Sequence, residues 1–114
     1  MTPLARVRVR TADGRQVAAI DGEIDASNAD EISLALRQGV TNQAPGLIVD
    51  LSGTRYVDSA GINLLFTLAD ELRSRRLELA LVVTESSPIA RMIAITSLDR
   101  LCPTFPTVDA ALGG

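Results

Sequence analysis

The sequence contains no histidine, no lysine and no tryptophan, only one cysteine, and aromatic residues at just 3% of its 114 positions. Without histidine there is no Ser-His-Asp triad, none of the usual zinc sites and no access to the commonest general base. A reactive serine would need activation from elsewhere. The single cysteine, Cys102, excludes an internal disulfide and fits a reducing compartment. It reads as a small apolar filler and not as a redox centre. With aromatics this scarce, the core has to be aliphatic. All 11 basic residues are arginine and the net charge is −3, a balance that argues against direct nucleic-acid or anionic-membrane binding. The densest basic patch, Arg73, Arg75 and Arg76, follows an apolar helix pattern and complements the negative end of a helix dipole. No apolar run approaches the roughly 18 residues of a transmembrane helix, and Met1 to Arg6 lead into a strand pattern with no signal-peptide core. The expectation is a soluble, cytoplasmic chain with no membrane partner, no metal and no cofactor.

What is present is enough apolar material, 46% of residues, for one well-packed domain of ordinary size. Val7 and Val9 alternate with Arg6, Arg8 and Arg10, which predicts a half-exposed strand with arginine on its wet face. Asp13-Gly14 is a tight-turn signal, so Gln16 to Ile20 returns as the second arm of a hairpin. Asp21 to Asp25 breaks that strand, with Gly22 as a turn glycine. Ser27 or Asn28 caps a helix whose apolar stripe is Ala29, Ile32, Leu36 and Val40. Leu34 falls off the stripe as a surface hydrophobe. Gly39 and then residues 42–46 end the helix.

Leu47 to Leu51 is apolar on both faces and reads as a central strand, with Ser52 to Val57 as a connection. Ile62, Leu65, Phe66, Leu68, Ala69 and Leu72 form one arc of a helix; Asn63, Thr67, Asp70, Glu71 and Ser74 form the other. Leu77 to Val83 is another buried strand. Ser86-Ser87-Pro88 starts a helix with Ile89, Met92, Ile93 and Thr96 on one face, where Met92 reads as core. Leu101 to Phe105 is a short edge strand because Pro103 cannot donate to a ladder, and Thr107 caps a last short helix. Strands alternating with helices after a hairpin give a single α/β domain with one mixed, mostly parallel sheet of about five strands and about four helices.

The most informative stretch is Asp58-Ser59-Ala60-Gly61, at a strand-to-helix junction. A serine there lies among unpaired backbone N–H groups at the positive end of a helix dipole. It reads either as a plain N-cap or as a hydroxyl that can carry a phosphate, and the two readings are compatible. Asp25 and Asp58 read as a recognition pair beside Ser59 or as turn residues. Gly61 reads as a point of close approach for a partner or as a tight packing site. Leu64 and Leu34 lie at the margins of their stripes and are candidates for partner contact.

These residues carry a resemblance to the STAS domain, and more narrowly to the small anti-sigma factor antagonists. Gly22-Glu23-Ile24-Asp25 with Asn28-Ala29 is similar to one family segment. Leu47 to Leu51, leading through Val57 to Asp58-Ser59-Ala60-Gly61 and Leu65, is similar to a second. Phe105 to Leu112 is similar to the closing helix. The likeness covers nearly all of residues 1–114 and implies one STAS domain that is not an enzyme. It implies a module that binds an anti-sigma factor, itself a serine kinase, and so frees a sigma factor. Phosphorylation at Ser59 would break that complex and a phosphatase would restore it. Asp25, Asn28, Asp58, Ala60, Gly61 and Leu64 would serve recognition, and the chain would be a monomer or weak homodimer. STAS-like domains also serve as accessory subunits of transport or larger signalling complexes, and weak nucleotide binding near Ser59 is the remaining alternative. One departure from the family pattern stands out: a Gly-Leu pair that often ends the third helix is Ser97-Leu98 here.

Overall fold

The computed structural model describes residues 4–41 and 45–113. In chain order the elements are β1 (Ala5–Ala12), β2 (Arg15–Ile24), α1 (Ala29–Gly39), β3 (Gly46–Asp50), β4 (Thr54–Val57), α2 (Ser59–Ser74), β5 (Glu78–Val82), α3 (Pro88–Ile95), a 3₁₀ turn (Leu98–Arg100), β6 (Thr104–Phe105) and α4 (Val108–Ala111). The strands form one sheet in the order β1-β2-β3-β5-β6, with β4 also paired to β2. Among the described residues only β1 and β2 pair antiparallel; the remaining pairs are parallel. The hairpin closes through Asp13 and Gly14, both at positive φ, the geometry a two-residue hairpin turn requires. The end expected for the first helix falls partly outside the described residues.

Strand alternation divides the core between two faces. Ala18, Ile20, Leu47, Val49, Leu79 and Leu81 face α1, α2 and α3, and pack on Ile32, Leu36, Leu65, Leu68, Ile89 and Ile93. Val17, Ile48, Ala80 and Val82 face the other way and cluster with Ala111 of the short α4, with Ala12, Phe105, Val108 and Leu112 packed against them. Met92 packs against the first cluster, and Cys102 is buried in it. Burial pushes the Cys102 thiol up to about 11, so it stays protonated and inert at neutral pH.

Two expectations need correction, and they share a cause. Gly22 is not a turn residue: it lies inside β2, at φ 121°, where a side chain would drive into the Leu4 carbonyl and come within 2.9 Å of the Ala5 Cα. The strand continues to Ile24, and residues 52–57 are not merely a connection, because Thr54–Val57 pairs with that continuation as β4. Residues 16–19 of β2 pair with β3 and residues 22–24 with β4, with a register shift between Gly22 and Glu23. The Ile20 carbonyl, left between the two ladders, accepts a hydrogen bond from the buried Thr54 hydroxyl at 2.6 Å. An unpaired buried carbonyl there would be destabilising by about 1–3 kcal/mol. The last strand is shorter than expected: Pro103 precedes it, and its carbonyl accepts from Leu81 N–H at 3.0 Å. It does lie at the sheet edge.

α3 ends at the Ser97-Leu98 departure. Ser97 sits at φ 63°, in the left-handed region, directly after the C-cap Thr96. Glycine occupies this position without steric penalty, whereas serine does not. Ser97→Gly should therefore stabilise the domain by about 1 kcal/mol, read as a raised midpoint in urea unfolding with an unchanged slope.

Candidate functional site

The carboxyl ends of β2 and β4 leave the sheet side by side. Ile24 is in register with Val57, and the Asp58 N–H donates to the Ile24 carbonyl at 3.2 Å. Asp25 and Asp58 are thus the residues that directly follow the paired ends of two neighbouring parallel strands. Each precedes a helix, so the N-termini of α1 and α2 lie together at one end of the molecule.

Asp58 is the N-cap of α2. It has extended backbone, and one carboxylate oxygen accepts from the N–H groups of Ala60 at 2.9 Å and Gly61 at 3.2 Å. This corrects the reading of Ser59 as a cap. Ser59 is the first residue of the helix and is exposed, with its side chain absent from the capping interaction. Asp58 satisfies two of the orphan amides of the opening turn, and its charge opposes the helix dipole. Among the described residues the Ser59 hydroxyl is therefore unpaired, beside an occupied anion position.

Gly61 is buried, and a Cβ there would approach Val57 Cγ1 to 2.6 Å and Ile24 Cγ2 to 3.0 Å. Of its two sequence readings, the structure supplies tight helix-on-strand packing. That packing fixes the height of Ser59 above the sheet. Ala60 is half-buried at the rim.

On the α1 side, the turn is locked by its own side chains. The Asp25 carboxylate accepts from the backbone N–H of Ser27 at 2.8 Å and from its hydroxyl. Asn28 is buried; its amide oxygen accepts from Asp25 N–H at 3.0 Å, and its amide nitrogen donates to the Glu23 carbonyl at 2.8 Å. Asn28 occupies the N-cap position of α1 but makes no side-chain cap bond; its amide staples the turn to the end of β2. The Ser27 hydroxyl, followed by backbone N–H groups, holds the Asp25 carboxyl below its ordinary range.

α1 and α2 flank a groove of about 390 Å³ lined by Ala26, Ala29, Asp30, Ala60, Asn63 and Leu64, with Ser33, Arg37 and Thr67 deeper along it. Leu64 is 7% exposed, so it contributes floor and not a projecting contact, whereas Leu34 is 59% exposed. At the far end Arg37 donates two hydrogen bonds to Glu71, at 3.0 and 2.7 Å, and ties the helices together. Arg37, Asn63 and Thr67 were not singled out from sequence. Asn63, Thr67 and Glu71 recur every four residues on the wet face of α2, but only the packing of α1 turns that stripe into a groove wall. Among the described residues no cluster of acidic or cysteine side chains could hold a metal, and no helix is long and apolar enough to cross a membrane.

This arrangement is matched by the STAS domain model over residues 6–111. The chain belongs to the STAS domain family. A Mycobacterium tuberculosis protein provisionally named an anti-anti-sigma factor is 34% identical over 109 residues, spanning 90% of this chain and 72% of that protein. The anti-sigma-F factor antagonist RsfB of the same species is 29% identical, over 95% of this chain and 87% of its own length. The crystal structure of an anti-sigma factor antagonist from Mycobacterium paratuberculosis superposes with a TM-score of 0.84 at 29% identity, covering 96% of this STAS chain and 92% of that one.

Two measurements test the roles assigned to the aspartates. Asp58→Ala should destabilise by about 1 kcal/mol in chemical denaturation, while Asp58→Asn, also a good cap, should stay within about 0.5 kcal/mol of the parent. In an NMR titration Asp25 should titrate below its ordinary 3.8, and Ser27→Ala should return it toward that value. Because folding depresses this pKa, the stabilisation it provides is complete above the unfolded value and is lost as pH falls through the folded one.

Proposed function

We propose that this protein is an anti-sigma factor antagonist whose unmodified form binds an anti-sigma factor and whose binding is cancelled by phosphate on Ser59. The observation that carries the reading is the exposed Ser59 hydroxyl on the first residue of α2, uncommitted to the cap and flanked by a groove. The supporting context is a family whose relatives bear antagonist names. The partner is a serine kinase that docks over the two helix starts, and a phosphatase reverses its action. Asp25 and Asp58, held rigid by their own turns, together with Ala60 and the groove around Leu64, shape the surface the kinase recognises. Asn28 and Gly61 act through the backbone they position.

Magnitudes separate the effect on the fold from the effect on the complex. A phosphoryl group brings about 1.5 to 2 negative charges. The two capped amides are already bound by Asp58, so the new charge has to displace that carboxylate or remain outside it, facing solvent or partner. At the helix terminus such charges change stability by about 0.3–1 kcal/mol. α2 is anchored by Ile62, Leu64, Leu65, Leu68 and Leu72, each worth about 1.5–3 kcal/mol on burial. The helix therefore stays in place. In an interface, an unpaired desolvated charge is destabilising by several kcal/mol, and about 1.4 kcal/mol already lowers affinity tenfold.

The experiment is calorimetry against the cognate anti-sigma factor, together with kinase labelling. Ser59→Ala should bind as the parent does and resist labelling with ATP. Ser59→Glu should lose at least tenfold in affinity while keeping the parent's circular dichroism and unfolding midpoint within about 1 kcal/mol. Labelling that persists in Ser59→Ala, or full affinity in Ser59→Glu, would overturn the proposal.

A further inference from the structure

β1 is an edge strand with β2 as its only strand neighbour among the described residues. Its ladder has a definite phase. Glu23 N–H donates to the Leu4 carbonyl at 3.1 Å, and the register continues from Ala5↔Gly22 to Ala12↔Arg15. In an antiparallel pair the hydrogen-bonded positions alternate, so the even-numbered residues of β1 point their backbone groups at β2. The N–H and C=O groups of Ala5, Val7, Val9 and Thr11 point outward, and no partner for them exists among the described residues. The side chains carry a second alternation. Ala5 and Val7 pack toward the helices, and Val9 follows them while remaining 43% exposed. Arg6, Arg8 and Arg10 all lie exposed on the opposite face. Arg8 pairs with Asp21 at 2.6 Å; Arg6 and Arg10 make no ion pair among the described residues.

We propose that the outer edge of β1 accepts an extended acidic segment of a partner protein as an added strand. Acidic residues at alternate positions would lie beside Arg6, Arg8 and Arg10, and apolar ones beside Val7 and Val9. A second copy of this chain is the wrong occupant. Antiparallel pairing of two β1 edges through their outward groups aligns odd positions with odd and even with even. Every such register that overlays the two Arg6–Arg10 stretches then sets arginine beside arginine, and like charges directly opposite are destabilising. The same pattern that blocks self-pairing selects a strand of opposite charge.

The test uses synthetic peptides of alternating valine and glutamate, with valine–lysine counterparts, read by NMR and fluorescence anisotropy. The glutamate peptide should bind on the order of tenfold more tightly than the lysine peptide and should slow amide exchange at Val7, Val9 and Thr11. The variant Arg6→Glu/Arg8→Glu/Arg10→Glu should reverse that preference. Val9→Pro, which removes an outward donor that the fold does not use, should abolish binding while leaving the sheet intact. Equal affinity for the two peptides, glutamate-peptide binding that leaves the odd amides unprotected, or concentration-dependent dimerisation through β1 would overturn the proposal. So would binding of anionic vesicles or RNA by this edge in preference to the acidic peptide. Ser59→Glu should not alter peptide binding, which separates this surface from the proposed switch.

Discussion

β2 cannot pair with two parallel neighbours on one side unless its ladder breaks, and the break at Gly22 determines where the functional end of the molecule lies. Before it, β2 runs beside β3; after it, beside β4. Only a residue without a side chain fits against the Leu4 carbonyl at that backbone angle. The Ile20 carbonyl exposed by the break is closed by the Thr54 hydroxyl, and Gly22 N–H reaches the Gly53 carbonyl at 3.1 Å. The break therefore leaves both groups paired while shifting the strand by the amount that brings Ile24 beside Val57. The juxtaposed starts of α1 and α2, and with them the positions of Asp25, Asp58 and Ser59, follow from that register.

The same residue limited what could be read from the sequence. A glycine after an aspartate has the composition of a turn, and ending β2 there removed the partner that β4 needs. Thr54–Val57 has only four residues, with its two middle ones exposed, so it lacks the alternation that marks a strand. Its existence is a tertiary fact. Features governed by local chemistry were legible. Ser87 caps α3 ahead of Pro88 by accepting from Ala90 N–H, and Thr107 caps α4 by accepting from Ala110 N–H. The buried faces of α1 and α2 follow their 3.6-residue stripes, and the doubly apolar β3 is central. The sequence reads Ser59 either as the cap or as a hydroxyl left for modification, and one residue's difference in where the helix begins decides between them. Only backbone geometry resolves that choice, and it leaves the serine.

That outcome has a chemical consequence. Had Ser59 been the cap, its oxygen would face the amides of its own helix, and a phosphate would first have to leave them. With Asp58 accepting from Ala60 and Gly61, the exposed serine takes no part in the cap and the helix end is already neutralised. Under the proposed phosphorylation the fold would gain little from the added charge and lose little, so the free-energy change would fall mainly on a partner covering that surface. Gly61, two residues further along α2 and tightly packed against Val57 and Ile24, keeps that surface from yielding.

The charge pattern of the chain also differs from one edge to the other in a way its net value conceals. Around the helix starts are Asp25, Asp30, Glu31 and Asp58, with Arg37 bound to Glu71 at the far end of the groove. Along β1 are Arg6, Arg8 and Arg10. Because β1 runs antiparallel to β2, its Arg6 end lies toward the end of the sheet where β2 delivers Asp25, while Arg10 lies toward the hairpin turn. A partner spanning from the helix starts onto the edge strand would pass from an acidic surface to a basic one. Complementing both requires a basic contact followed by an acidic extended segment, and a uniformly charged surface would be repelled at one end or the other. An overall charge of −3 thus says little about what this protein can bind; the separation of its charges along the sheet says more.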